Sequence, residues 1–200
     1  MTATATGYCP VGDVATVHPG YLSRTRVRSV PGGTHWLLQA KDVSAERGVV
    51  VDQATRFHPE RNPKLYQVNR GDILVVARGQ EHLAHHVYQD LTNTLAAATF
   101  YIVRPNVSRV LPGFLAWWLN LPRIQAEIGA SSRGTSIAYI GREAIETLQI
   151  PIPSLSVQET IERVIALWRK RKFIQSHLDE KLEQHIQAVC LRAARRPKEH

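Results

Sequence analysis

Apolar residues in the first three quarters of the chain come in short runs. Trp36-Leu37-Leu38-Gln39, Val49-Val50-Val51, Ile73 to Ala77, Leu95 through Val103 and Leu148-Gln149-Ile150 are each a few residues long. Several are β-branched and bounded by turn residues, which predicts strands. Asn69-Arg70-Gly71-Asp72 is a turn signal feeding the Ile73 strand. The spacing points to a mixed, curled sheet rather than βαβ units. Two patches keep a helical period. Gly113 to Asn120 carries Phe114, Trp117, Trp118 and Leu121, and Pro122 opens a second turn through Ile124 and Ile128. Both tryptophans read as core. A short helix over Arg142 to Thr147 precedes the break at Pro151-Ile152-Pro153.

The pattern changes near residue 151. From Ser154 there is no Gly, and no Pro until Pro197. Ser154 or Ser156 can cap a helix, and Ser156 stands three residues before Glu159 in a capping-box pattern. Apolar residues then recur at Val157, Ile161, Val164, Ile165, Trp168, Ile174, Leu178, Leu182, Ile186 and Val189. Steps mostly of three and four make a stripe on one face of a helix from about Ser156 to Ala194, about 60 Å long. The chain offers no second helix of that length, so the stripe asks for a partner chain. Ile161, Trp168, Ile174, Leu178, Leu182, Ile186 and Val189 are the expected dimerisation residues. Arg169-Lys170-Arg171-Lys172 interrupts the seam. The expected fold is α+β: a curled mixed-sheet domain over 1–153, a long helix over 154–196 and a tail over 197–200.

Composition narrows the class. The 200 residues are 44% hydrophobic and 21% charged, which excludes wholesale disorder. No apolar run approaches a membrane span, and the first residues do not read as a signal peptide. Cys9 and Cys190 make neither a disulfide framework nor a zinc site, so a reducing cytoplasm is expected. The net charge is +8, and residues 169–200 alone hold nine basic and four acidic groups. That balance favours a polyanionic partner.

Motifs for catalysis are missing. There is no GxGxxG, no Walker loop and no GxSxG elbow, and no carboxylate pair stands in a suggestive frame. His82, His85 and His86 raise the question of a metal, since His82 and His86 would share a face of a helix. No third spaced ligand completes the set, and the segment lies between two strands, so a polar loop is the better reading. The basic groups say more. Arg24, Arg26 and Arg28 alternate behind Tyr21, so an extended segment would point them one way. Arg78-Gly79 ends a strand. Ser131-Ser132-Arg133-Gly134-Thr135-Ser136 combines hydroxyls, backbone N–H groups and one Arg, a chemistry suited to phosphate, while Arg also reads guanine edges. The candidate DNA-binding residues are Tyr21, Arg24, Lys41, Arg78, Arg133, Thr135 and Ser136.

The order of these pieces resembles the specificity (S) subunit of type I restriction–modification systems, over nearly the whole chain. Gly12-Asp13-Val14-Ala15-Thr16-Val17 with Gly20-Tyr21 looks like the opening of a target recognition domain. Trp36 to Val43, Gly71 to Gly79 and Arg133 to Ile137 resemble later parts of it. Ile150-Pro151-Ile152-Pro153-Ser154-Leu155-Ser156-Val157-Gln158-Glu159-Thr160-Ile161, leading into a long helix, is the most specific feature. The departure is size: typical members carry two recognition domains and two such helices, and this chain has one of each. The resemblance implies a non-enzymatic targeting subunit. Its partners would be double-stranded DNA, a second copy of itself with helices antiparallel, and a methyltransferase subunit, with a restriction subunit left open. The chain itself would carry no cofactor, and S-adenosylmethionine would belong to the methyltransferase. Two other classes stay open: a free-standing homodimeric DNA-binding regulator, and a small nuclease.

Overall fold

A computed structural model describes residues 7–44, 48–52, 54–79, 81–132 and 138–194. Arg133, Thr135 and Ser136 lie outside the described residues. The chain divides into two compact units, Met1–Glu162 and Arg163–His200.

Among the described residues the first unit holds four small sheets. Strands β1 (Gly7–Pro10) and β11 (Gln149–Ile152) form an antiparallel pair. An antiparallel four-stranded sheet has the order β2 (Ala15–Pro19), β10 (Phe100–Pro105), β7 (Ile73–Val76), β8 (Ala84–His86). The third sheet has the order β6 (Thr55–Phe57), β3 (His35–Leu38), β9 (Thr94–Ala96), and β3 runs parallel to β9. β4 (Val43–Ser44) and β5 (Gly48–Val49) make a short hairpin. Among the described residues the parallel pairing expected of a mixed sheet is found in the β3–β9 pair and the Tyr21–Ala97 bridge.

The run Ile73–Val76 is apolar throughout because both faces of its sheet are covered. Ile73 and Val75 of β7 and Val103 of β10 join one core. Leu74 of β7 with Phe100 and Ile102 of β10 joins a second. The first core is closed by helices α1 (Pro112–Leu119), α2 (Pro122–Ala130) and α3 (Glu143–Glu146), which contribute Phe114, Leu115, Trp118, Ile124, Ile128 and Ile145. Trp118 is buried in it and Trp117 packs against it. Each such side chain stabilises the fold by about 1.5–3 kcal/mol.

The stretch Leu95 through Val103, expected as one strand, is two. The chain turns at Ala97–Thr99 and passes from the three-stranded to the four-stranded sheet. Gly20 makes this possible, since a Cβ there would fall 2.0 Å from the Ala97 carbonyl oxygen. Strands β1, β2, β6 and β8 are short, and their apolar content is too thin to stand out in sequence. His85 and His86 belong to β8, paired with Leu74 and Ile73, so the histidine segment is not helical.

Helix α4 (Leu155–Ala194) starts one residue earlier than its apolar pattern suggests. Ser154 holds the cap position, its carbonyl accepting from the N–H groups of Val157 and Gln158. The first two turns belong to the first unit. Gln158 is fully buried: Oε1 accepts from Leu111 N at 2.8 Å, and Nε2 donates to the carbonyls of Arg109 (3.1 Å) and Pro153 (2.9 Å). Glu162 Oε1 accepts from Phe114 N at 3.1 Å, capping the positive end of α1. Ile161 packs against the first core. Ile161, expected in the seam, thus already gives part of its side chain to the first unit. In the second unit, Arg163 to Ala194 continues as helix, and residues 171–194 are exposed throughout. No described helix is long and apolar enough to cross a membrane.

Candidate nucleic-acid interface

One of the candidate positions, Arg78, stands on the β7–β8 connection. Arg78 follows β7 and is exposed; across an antiparallel bridge stands Tyr139, also 47% exposed. Gly79 N donates to Ala138 O at 2.9 Å, and Ile140 N donates to Ala77 O at 3.0 Å. These bonds fix the C-terminal flank of the 133–137 segment against the same connection that carries Arg78.

The N-terminal flank is fixed by a histidine. His82 is buried, with Nδ1 2.9 Å from Val76 O and Nε2 3.0 Å from Ser132 Oγ. A carbonyl only accepts, so Nδ1 carries the proton, and in the neutral ring Nε2 accepts from the Ser132 hydroxyl. Gln125 Nε2 donates to His82 O, and Asn120 clamps Ala84 by bonding both its N–H and its carbonyl. Both ring nitrogens of His82 are therefore engaged, one by a backbone carbonyl and one by the Ser132 hydroxyl. Among the described residues no group of three His, Cys, Asp or Glu could hold a metal ion.

The other candidates stand on separate connections. Arg24, Arg26 and Arg28 are exposed, but residues 22–34 form no strand, so their alternation does not align them on one face. Lys41 is exposed in a 3-10 turn (Ala40–Asp42) before β4. Tyr21 is a core residue, 2% exposed, packed edge-on against Phe57 at 5.4 Å and Tyr66 at 5.3 Å. Its hydroxyl accepts from Glu60 N at 2.8 Å. A side chain so covered cannot meet a base or a phosphate, so Tyr21 is corrected from a contact residue to a support beneath the loop carrying Arg24.

Two further residues belong with this chemistry and carry little sequence signal. Tyr139 has none beyond an aromatic residue shortly after a basic loop. Arg56 lies 4.9 Å over the Trp36 ring, a pair that only the β3–β6 register brings together. The arginine most constrained is Arg104, whose Nε and Nη2 each lie 2.8 Å from an oxygen of buried Asp72. That hydrogen bond raises the guanidinium above its ordinary pKa; burial opposes it and the Asp72 charge adds to it. Asp72 also accepts from Asn69 N at 2.8 Å, so the Gly71-Asp72 turn is an anchor rather than a contact surface.

The dimerisation candidates on the second unit are unpartnered. Trp168, Ile174, Leu178, Leu182, Ile186 and Val189 are each 52–59% exposed. Lys172 Nζ lies 5.3 Å over the Trp168 ring.

No family model and no curated relative matches the sequence. Solved structures do match in fold. A type I restriction–modification S subunit from M. genitalium is 13% identical at a TM-score of 0.60, covering 92% of this chain and 45% of its own. The HsdS subunit from Thermoanaerobacter tengcongensis is 17% identical at a TM-score of 0.64, covering 96% and 50%. A chain from a structure describing complex assembly and conformational transition of the type I restriction–modification system is 15% identical at a TM-score of 0.68, covering 94% and 45%. The chain thus has the fold of these S subunits and spans about half their length.

Proposed function

We propose that this chain is a half-sized DNA sequence-specificity subunit. It joins as a homodimer through α4 and directs an adenine methyltransferase to an interrupted palindrome. The observation that carries the reading is the fold match over nearly all of this chain but half of each S subunit. The exposed stripe on α4 supports it, since a second copy would cover that stripe and supply the missing half. Arg78 on the β7–β8 connection supplies an exposed cation for phosphate or guanine edges. Catalysis, and the S-adenosylmethionine it uses, belong in this reading to the partner subunit.

Co-expression with a candidate methyltransferase tests it. The two proteins are expected to co-purify, and mapping of methylated adenines should give two inverted half-sites separated by unread bases. A protein that binds DNA as a dimer and regulates transcription without any methyltransferase partner would overturn it in favour of a free-standing regulator. Mg²⁺-dependent cleavage of DNA by the pure chain would overturn it in favour of a nuclease.

A further inference from the structure

Along Val164, Trp168, Leu178 and Leu182 the stripe keeps alternating steps of four and three, and Arg171 and Gln175 fill the two positions between Trp168 and Leu178. At about 3.6 residues per turn both polar residues fall within the stripe. Charge along the second unit is also segregated. Residues 163–172 hold five cations and no carboxylate, whereas residues 173–189 hold three carboxylates and one cation. Finally, Gln175 Nε2 donates to Asp179 Oδ1 at 2.9 Å. That bond orients the amide and leaves Gln175 Oε1 as an acceptor beside a carboxylate, a composite site for a guanidinium.

We propose that α4 pairs antiparallel with a second copy in a register centred on residue 173, Arg171 of each copy engaging Gln175 and Asp179 of the other. The inference rests on the homodimer reading above. In this register Arg171 meets Gln175, Trp168 meets Leu178 and Val164 meets Leu182, so polar layers face polar layers and apolar layers face apolar ones. Sliding the pair by one heptad sets Arg171 against Leu182 and strands a cation in an apolar layer. A parallel pair sets Arg171 against its own copy and runs the cationic stretch against itself. The interruption of the seam is thereby its register mark, as a single polar layer is in other helix pairs.

Sedimentation of the full chain tests this with wild type, Arg171→Glu, Asp179→Arg and the double exchange, circular dichroism confirming that each folds. Each single reversal is expected to weaken dimerisation by roughly 10–100-fold, and the double exchange to recover most of it. In a Cys9→Ser, Cys190→Ser background, Val164→Cys with Leu182→Cys should form on oxidation an intermolecular disulfide that peptide mapping assigns to positions 164 and 182, whereas a parallel pair would join 164 to 164 and 182 to 182, and a pair slipped by one heptad would join neither. A wild-type dimer whose double exchange is no tighter than the singles, and in which no 164–182 disulfide forms, overturns the pairing and leaves the homodimer intact. A wild-type chain that stays monomeric at tens of micromolar overturns the homodimer and the pairing with it.

Discussion

Gln158 shows how a single side chain joins two elements. Its amide satisfies Leu111 N, Arg109 O and Pro153 O, three backbone groups with no partner in regular structure. Gln158→Ala would strand them and open a cavity, at about 2–4 kcal/mol. The measurement is the urea midpoint of the full chain, and an unchanged midpoint would refute the account. Gly113→Ala works on the same joint. An added Cβ would sit 2.6 Å from Glu162 Oε1, so the carboxylate must swing away and release Phe114 N, at about 1 kcal/mol. Arg78 is the residue where a contact with DNA is most directly testable. If it meets a phosphate, Arg78→Ala should weaken binding to all sequences and lower the slope of log affinity against log salt by about one. If it reads a base, the loss is about 1–3 kcal/mol of discrimination at one position. Binding and specificity both unchanged would remove Arg78 from the interface.

At the scale of elements, α4 has two lives. Its first two turns are folded into the domain core through Ile161, Gln158 and Glu162, while beyond residue 170 it has no intramolecular cover. The same apolar periodicity runs through both parts, so periodicity alone could not divide them. Replacing Leu178 and Leu182 together with Asp leaves the first unit untouched but places charges in the proposed seam, at several kcal/mol. Sedimentation should then show a monomer whose helix content by circular dichroism is little reduced. A dimer of undiminished affinity would show that another surface holds the copies together. β7 is the opposite case: wholly apolar, with its two faces committed to different cores.

For the whole molecule, the proposed homodimer would set the form of the DNA site by symmetry. Two identical recognition domains about a two-fold axis require inverted, identical half-sites. In that dimer the helix pair would set the number of unread bases between them. Inserting seven residues between 189 and 190 should leave that spacer unchanged, because the insertion lies beyond the register-setting layers. The same insertion between 162 and 163 should lengthen the spacer or abolish recognition, with half-site sequences unaltered. The readout is the methylated sequence in cells carrying the matching methyltransferase. An asymmetric site with unlike halves would instead require a second, different specificity chain.

Periodicity and punctuation alone determined the long helix, the helical patches, the strand at Ile73, the change of character near residue 151 and the excess of cations. Those are local properties, set by side-chain spacing, by the backbone restrictions of Gly and Pro, and by charge. The order of motifs also pointed to the S-subunit fold. Tertiary structure decided which residues those patterns make available. It buried Tyr21 and packed Ile161 against the first core, because apolar and aromatic surface is drawn into a core whatever chemistry it could perform outside. It broke Leu95 through Val103 into two strands, because Gly20 lets another segment approach Ala97. It set Arg78 beside Tyr139 and the flanks of the 133–137 segment. Long-range backbone bonds make such neighbours, and no spacing along the chain encodes them.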